Sequence, residues 1–211
     1  LVNFRLLKQL SPQPGASVDA SQADFTMPLA DDSIFSTHHD PAPAIPKNRS
    51  VRLRMEDSPY YTNNASGQAL ENGQAVYEYN RNSLVEIYSL TFSHSTHSGV
   101  GVILSSDGYL LTNAHLVEAA KQIVVALPDG RLLPASVVGS DNLTDMAVLY
   151  VDVRDLTPAT FGTSKTLQVA DPIYTVSLQE NARSSMRMHE DSLFFVSRKF
   201  STAHNIVNLI Q

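Results

Sequence analysis

Two Asp-Gly dipeptides, Asp107-Gly108 and Asp129-Gly130, constrain the fold of this chain more than any other feature. Short apolar runs flank both: Gly99 to Leu104 and Tyr109 to Thr112 around the first, Ile123 to Leu127 and Leu132 to Val138 around the second. Glycine reaches the positive φ of a tight reversal at no steric cost, so each dipeptide predicts a hairpin. A strand is also expected over Leu84 to Phe92. Another is expected over Met146 to Val151, whose near-continuous apolar run predicts burial on both faces. Five or six short strands therefore fall between residues 84 and 151, the pattern of an antiparallel barrel or sandwich.

The connections carry their own expectations. Ser93 to Ser98 reads as a polar turn, and Gly139 to Asn142 as a break after the second hairpin. Asn113 to Ala120 has helix-forming residues for about two turns, with Thr112 or Asn113 able to cap the start. Beyond Val151, Asp152 to Lys165 reads as a polar connection and Leu167 to Val176 as a strand. Gln179 to Asp191 reads as a polar loop, while Leu193 to Arg198 and Ile206 to Ile210 are strand-like, as if a second β unit begins there and is not finished.

The first eighty residues differ in texture. Seven of the 11 prolines (Pro12, Pro14, Pro28, Pro41, Pro43, Pro46 and Pro59) precede residue 60, among Ser, Asp, Gln and Ala. Such a segment buries too little apolar surface to offset its chain entropy, so an extension or linker that docks locally at best is expected over residues 1–79. The chain opens at Leu1 without methionine, which suggests an initiator, signal or anchor region upstream. Leu1 to Leu10 reads as the end of such a region or as a short amphipathic stretch.

Composition removes several functions. A net charge of −6 provides no basic stripe for phosphate, so nucleic acid is not an expected partner. The chain has no cysteine, which excludes disulfides, thiolate metal sites and a cysteine nucleophile. No run of eighteen apolar residues occurs, so no membrane span is expected in this chain. His38, His39 and Asp40, and separately His94 and His97, have weak metal-ligand spacing. Solvated loops explain both groups as well, and neither a metal nor a cofactor is expected.

His115 and Asp145 are the candidate chemical pair. Acyl transfer to serine needs a base with a pKa near neutrality, which histidine supplies, and a carboxylate that fixes its tautomer and stabilises the imidazolium. His115 is expected in the first turn after a strand, where it can point off the sheet edge. Asp145 stands thirty residues later at the mouth of the apolar run Met146-Ala147-Val148-Leu149.

The words around the pair form an ordered set: Ser98-Gly99-Val100-Gly101-Val102-Ile103-Leu104, then Asp107-Gly108-Tyr109-Leu110-Leu111-Thr112-Asn113-Ala114-His115-Leu116-Val117, Asp129-Gly130-Arg131, and Thr144-Asp145-Met146-Ala147-Val148-Leu149. In order and spacing they resemble the HtrA (Deg) branch of the trypsin-like serine proteases, over roughly residues 76 to 176. The resemblance implies an all-β fold, a trypsin-like double β-barrel with the first barrel complete and the second only partly present. First-barrel residues would be 80–165, and 166–211 would begin the second. It also implies His115 as general base, Asp145 as orienting carboxylate, protein or peptide substrates, and an extracytoplasmic bacterial setting (periplasm or cell surface). An upstream membrane anchor and an oligomer are compatible with it.

Further along the resemblance thins. Val169-Ala170-Asp171-Pro172-Ile173 is similar to the family's VGDPV word with alanine for glycine, and Asn208-Leu209-Ile210-Gln211 resembles the strand before the nucleophile loop. That loop needs glycines so that backbone N–H groups can converge on an oxyanion. From Thr163 to Gln211 there is none, so Ser164, Ser177, Ser184, Ser185, Ser197 and Ser201 are read as ordinary serines and no nucleophile is assigned in this chain. Either the serine lies beyond Gln211, or the chain is a catalytically inactive relative that binds peptides or regulates a partner. A β-sandwich adhesion domain without a site would explain the strands and leave the His115 corner without a role.

Overall fold

The computed structural model describes residues 5–7, 34–35, 40–47, 54–55, 73–161, 169–178, 186–192, 198–201 and 206–209. The class is all-β, with few and short helices. Helix α1 (Gly73–Asn80) and a single 3-10 turn lead into a seven-stranded antiparallel sheet. Its strands are β3 (Leu84–Thr91), β4 (Thr96–Ile103), β5 (Tyr109–Thr112), β6 (Ala120–Ala126), β7 (Leu132–Pro134), β8 (Ser136–Asp141) and β9 (Met146–Tyr150). They are ordered β7-β6-β3-β4-β5-β9-β8.

The sheet curls because its two end strands are neighbours in the chain. β7 pairs with β6 through Val124↔Pro134, β8 pairs with β9 through Ser136↔Tyr150, and only Ala135 separates them. The expected strand Leu132 to Val138 is thus one closing strand that changes partners at Ala135, whose N–H donates to the Ile123 carbonyl at 3.0 Å. A continuous apolar interior results, containing Val85, Ile87, Ile103, Leu110, Val125, Leu127, Leu149 and Val151.

β3 is buried on both faces, which explains its unbroken apolar texture. Val85 and Ile87 enter the barrel interior. On the other face Leu84 joins Val100, Val102 and Val176, and Tyr88 joins Val124, Ala126, Ile34 and Phe35. The proline-rich region is therefore docked where it is described: Ile34 and Phe35 cover the outside of the barrel, and the Pro43 carbonyl accepts the Ser136 hydroxyl at 2.5 Å. Strand β2 (Arg54–Met55) pairs in parallel with β10 (Thr160–Phe161), and β1 (Arg5–Leu7) pairs with β11 (Pro172–Leu178). β11 also pairs with β12 (Met186–Ser192), and β13 (Arg198–Ser201) pairs with β14 (Ile206–Leu209).

Several expectations need correction. Residues 186–191, expected as part of a polar loop, are strand: Met186 and Met188 turn inward against Leu84 and Val176, whereas Arg187 and His189 are exposed. Residues 179–185 of that expectation lie outside the described residues, as do 193–197 of the strand expected from Leu193. Thr96 to Ser98 belong to β4 and not to the turn. Gly139 to Asp141 do not break the strand. They continue β8 past a bulge, as an edge strand next to a turn permits. Met146 is exposed and Val148 half-buried, so β9 is not buried on both faces throughout.

Candidate active site

The β5-to-β6 corner carries His115. The helix here, α2 (Ala114–Val117), has one turn where two were expected, because Ala119 takes a left-handed φ of 56° and Ala120 pairs with Thr91 as the first residue of β6. Leu116 and Val117 bury into the barrel interior and His115 faces outward. Two contacts fix the turn on the sheet. The Ser89 hydroxyl donates to the Leu116 carbonyl at 2.5 Å. Gly99 of β4 leaves the space that Leu116 fills, since a Cβ there would stand 2.2 Å from Leu116 Cδ1.

Asp145 ends the β8–β9 turn. Asp141 shapes that turn by accepting the Leu143 N–H at 3.0 Å and the Thr144 hydroxyl at 2.7 Å. Asn142 ties it to Glu118, just after α2, at 3.0 Å. Because Thr112 pairs with Ala147, the residues that follow β5 and precede β9 face one another. Asp145 adopts a φ of 55°, the left-handed region that aspartate tolerates better than most side chains.

The structure brings the two candidates together. His115 Nδ1 lies 2.7 Å from Asp145 Oδ2 and 2.9 Å from Oδ1, within the reach expected of a base and its orienting carboxylate. The His115 backbone N–H also donates to Oδ1 at 2.9 Å, and the Ala114 N–H donates to the Asp145 carbonyl at 3.2 Å. Asp145 thus caps the helix that carries its partner, the task the sequence suggested for Thr112 or Asn113. Thr112 instead donates its hydroxyl to the Val100 carbonyl at 3.1 Å. Partial burial pushes the Asp145 carboxyl up, but the His115 backbone N–H, the ring hydrogen bond and the ring's charge outweigh it and hold the carboxyl below its ordinary value. The His115 and Asp145 side chains are 49% and 41% exposed, open enough for a reacting group to approach.

Asn113 was missed as a site residue. Its amide Nδ2 donates to Asp145 Oδ2 at 2.9 Å and to the Asp145 carbonyl at 3.1 Å. The only sequence signal was its place two residues before the histidine, where it reads equally well as a cap.

Other candidates stand apart from this pair. His94 and His97 are exposed at the β3–β4 turn and the start of β4, and Ser177 lies within β11 opposite Arg187. His38 and His39 lie outside the described residues, as do Ser164, Ser184, Ser185 and Ser197. Among the described residues no three histidine, aspartate or glutamate side chains gather as metal ligands. No helix among them is long and apolar enough to cross a membrane.

Known proteins with the same local organisation place the chain. Residues 99–208 match the family described as the trypsin-like peptidase domain. The serine endoprotease DegS of Haemophilus influenzae is 37% identical over 114 residues, which are 49% of this chain and 34% of that protein. A probable periplasmic serine endoprotease, DegP-like, of Halomonas elongata is 54% identical over 71 residues, 34% of this chain and 15% of that protein. Among solved structures, the HtrA-type protease AlgW with a tripeptide aligns with a TM-score of 0.54 at 30% identity, covering 61% of this chain and 41% of that one. The serine endoprotease from Yersinia pestis aligns with a TM-score of 0.51 at 31% identity, covering 56% and 43%. The chain spans about a third or less of the length of these two sequence relatives. With these matches over the curled sheet and the His115 corner, the chain belongs to the trypsin-like peptidase family, in its HtrA branch.

Proposed function

We propose that this chain carries the general base and orienting carboxylate of an extracytoplasmic bacterial serine endopeptidase. The observation that carries the reading is the His115–Asp145 pair at 2.7 Å, held from both sides of the barrel mouth within a trypsin-like domain. His115 takes the proton of an attacking serine hydroxyl and returns it to the leaving amine. Asp145 accepts from Nδ1–H, so the other ring nitrogen is the basic one, and its charge stabilises the imidazolium as it forms. The serine and its oxyanion hole belong to a glycine-rich loop outside these 211 residues, a reading supported by the absence of glycine from Thr163 to Gln211. Residues 80–165 then make the first barrel and 166–211 begin the second, with 1–79 as an extension. Protein or peptide substrates are supported by the neighbour structure solved with a tripeptide, and the extracytoplasmic setting by the periplasmic relatives.

The same glycine-free stretch favours one alternative, a catalytically inactive relative that binds peptides or regulates a partner. A fluorophosphonate probe on the complete protein separates the two readings. Labelling on a serine beyond Gln211 is expected. In that protein His115→Ala should abolish most peptide hydrolysis, and Asp145→Asn should lower turnover by about 10⁴, the size of the loss when a triad aspartate elsewhere is replaced by asparagine. Near-parental turnover in either variant defeats the assignment, and a folded protein that never labels favours the inactive relative.

A further inference from the structure

Asn113 occupies the N-cap position of α2, with φ −78° and ψ 142°, where a short polar side chain ordinarily accepts a hydrogen bond from the helix's first N–H groups. It makes no such bond. Asp145 Oδ1 has taken the His115 N–H, and the Asn113 amide is turned onto Asp145. Its Nδ2 reaches two acceptors of that one residue, Oδ2 at 2.9 Å and the main-chain carbonyl at 3.1 Å. The orientation of the amide is forced, because a flipped amide would set its oxygen against both of them.

The other end of the same side chain is costly. Asn113 is 7% exposed and its Oδ1 is buried with no hydrogen-bond partner among the described residues. A buried acceptor left unpaired destabilises a fold, whereas an apolar side chain of the same shape does not. The cost of the unpaired oxygen offsets part of what the two bonds from its nitrogen contribute to stability, so the amide is explained by what that nitrogen does.

A count of donors at the carboxylate shows what that is. Oδ1 receives the His115 backbone N–H and Oδ2 receives Asn113 Nδ2, with ring Nδ1 within reach of both oxygens. Without Asn113 every remaining donor to the carboxylate among the described residues comes from His115 itself, and the carboxylate plane can rotate with the ring. With it, one amide that does not titrate fixes both the carboxylate plane and the left-handed backbone of Asp145.

We propose that Asn113 is a positioning residue: its amide clamps the carboxylate and the main-chain carbonyl of Asp145 together and thereby sets the orientation of the His115 ring. The proposal rests on the reading of His115 and Asp145 as base and orienting carboxylate, and it acts on His115 through Asp145 without touching substrate.

Asn113→Leu is the principal test, because it preserves shape while removing both the clamping donor and the unpaired acceptor. In the complete protease kcat should fall about tenfold to hundredfold, the range a misplaced catalytic group produces, with KM unchanged and a melting temperature close to the parent's. Asn113→Asp adds a readout that a structural role would not move. The new carboxyl would face Asp145 Oδ2, whose charge raises its pKa so that it ionises only as pH rises, with His115 as the other titratable neighbour in the clamp. Its protonated form can donate as the amide does, so the kcat deficit should shrink as pH falls. The third measurement is the acid titration of the Asp145 carboxyl, followed by carbon NMR. In Asn113→Leu it should move up towards the ordinary carboxylate range. A loss of kcat in Asn113→Leu that merely tracks a lowered melting temperature overturns the proposal, as does parental kcat with an unmoved Asp145 titration. His115→Ala in the same assay separates the two claims. If it remains active the base assignment fails, and the Asp145 titration alone then decides for or against the clamp.

Discussion

Replacing Glu86 by glutamine should remove one pH-dependent contribution to the stability of this barrel. Glu86 lies on β3 between Val100 of β4 and Ala126 of β6, on the face that carries Leu84 and Tyr88, and it is 1% exposed. The Tyr88 hydroxyl donates to its Oε2, and Oε1 is buried without a hydrogen-bond partner among the described residues. Burial pushes the carboxyl up from an ordinary value of 4.5 to about 7, a rise that the Tyr88 hydrogen bond only partly opposes. Between those values the folded chain holds a proton that the unfolded chain releases. The contribution of Glu86 to stability is therefore complete below about pH 4.5 and is lost as pH rises through about 7. At about 1.4 kcal/mol per pH unit the displacement amounts to about 3 kcal/mol. Glutamine does not titrate and still offers Tyr88 an acceptor. Its buried amide adds a constant offset, so the diagnostic quantity is the change with pH. Denaturant unfolding of both proteins at pH 4.5 and pH 8 should show the difference moving by about 3 kcal/mol in favour of Glu86→Gln, or by about 6–12 °C in melting temperature for a chain of this size. A difference that stays constant across the range would refute the reasoning, because it would mean that the carboxyl gives up its proton inside the fold at no cost.

Two packing predictions accompany it. Gly99→Ala drives a methyl group into Leu116 Cδ1 and should destabilise the protein by about 1–3 kcal/mol, read by denaturant unfolding; parental stability would mean that α2 does not sit against β4 as described. Phe35→Ala removes a buried ring from the cluster with Tyr88, Val124 and Ala126. It should cost about 3 kcal/mol and speed cleavage of the N-terminal segment in limited proteolysis, whereas an unchanged cleavage rate would show that residues 34–35 do not hold that segment to the barrel.

The hairpins were legible because short-range chemistry specifies them, and His115 and Asp145 were singled out by the ordered words that resemble the HtrA branch. Gly108 takes φ 104° at the turn the Asp-Gly dipeptide predicts, and a Cβ there would lie 2.0 Å from the Val151 carbonyl oxygen, so only glycine fits. Tyr109 to Thr112 is a strand with the expected ends. Long-range pairing was less legible. Nothing local in Leu132 to Val138 marks Ala135 as the point where the strand leaves β6 for β9, since the choice is made by partners distant in sequence. In α2 the same influence overrides helix propensity, since pairing of Ala120 with Thr91 withdraws the second turn. For β12 the period-two alternation of Met186, Arg187, Met188 and His189 was present, but the surrounding polar residues outweighed it. In the candidate site, the family resemblance of the surrounding words pointed to His115 and Asp145. The part played by Asn113 depends on where Asp145 Oδ2 comes to rest, which no one-dimensional pattern records.

The left-handed backbone of Asp145 limits what evolution can write at that position. Glycine, asparagine and aspartate sit there with little strain, β-branched residues do not, and glutamate would add both strain and a methylene that displaces the carboxylate. The acid is therefore specified twice, by its chemistry and by its φ. Drift from it is funnelled towards asparagine and glycine, which fit the turn but abolish the charge. Asparagine keeps an amide oxygen that can still cap α2 whereas glycine keeps none, so of the two replacements asparagine should leave the barrel the better folded.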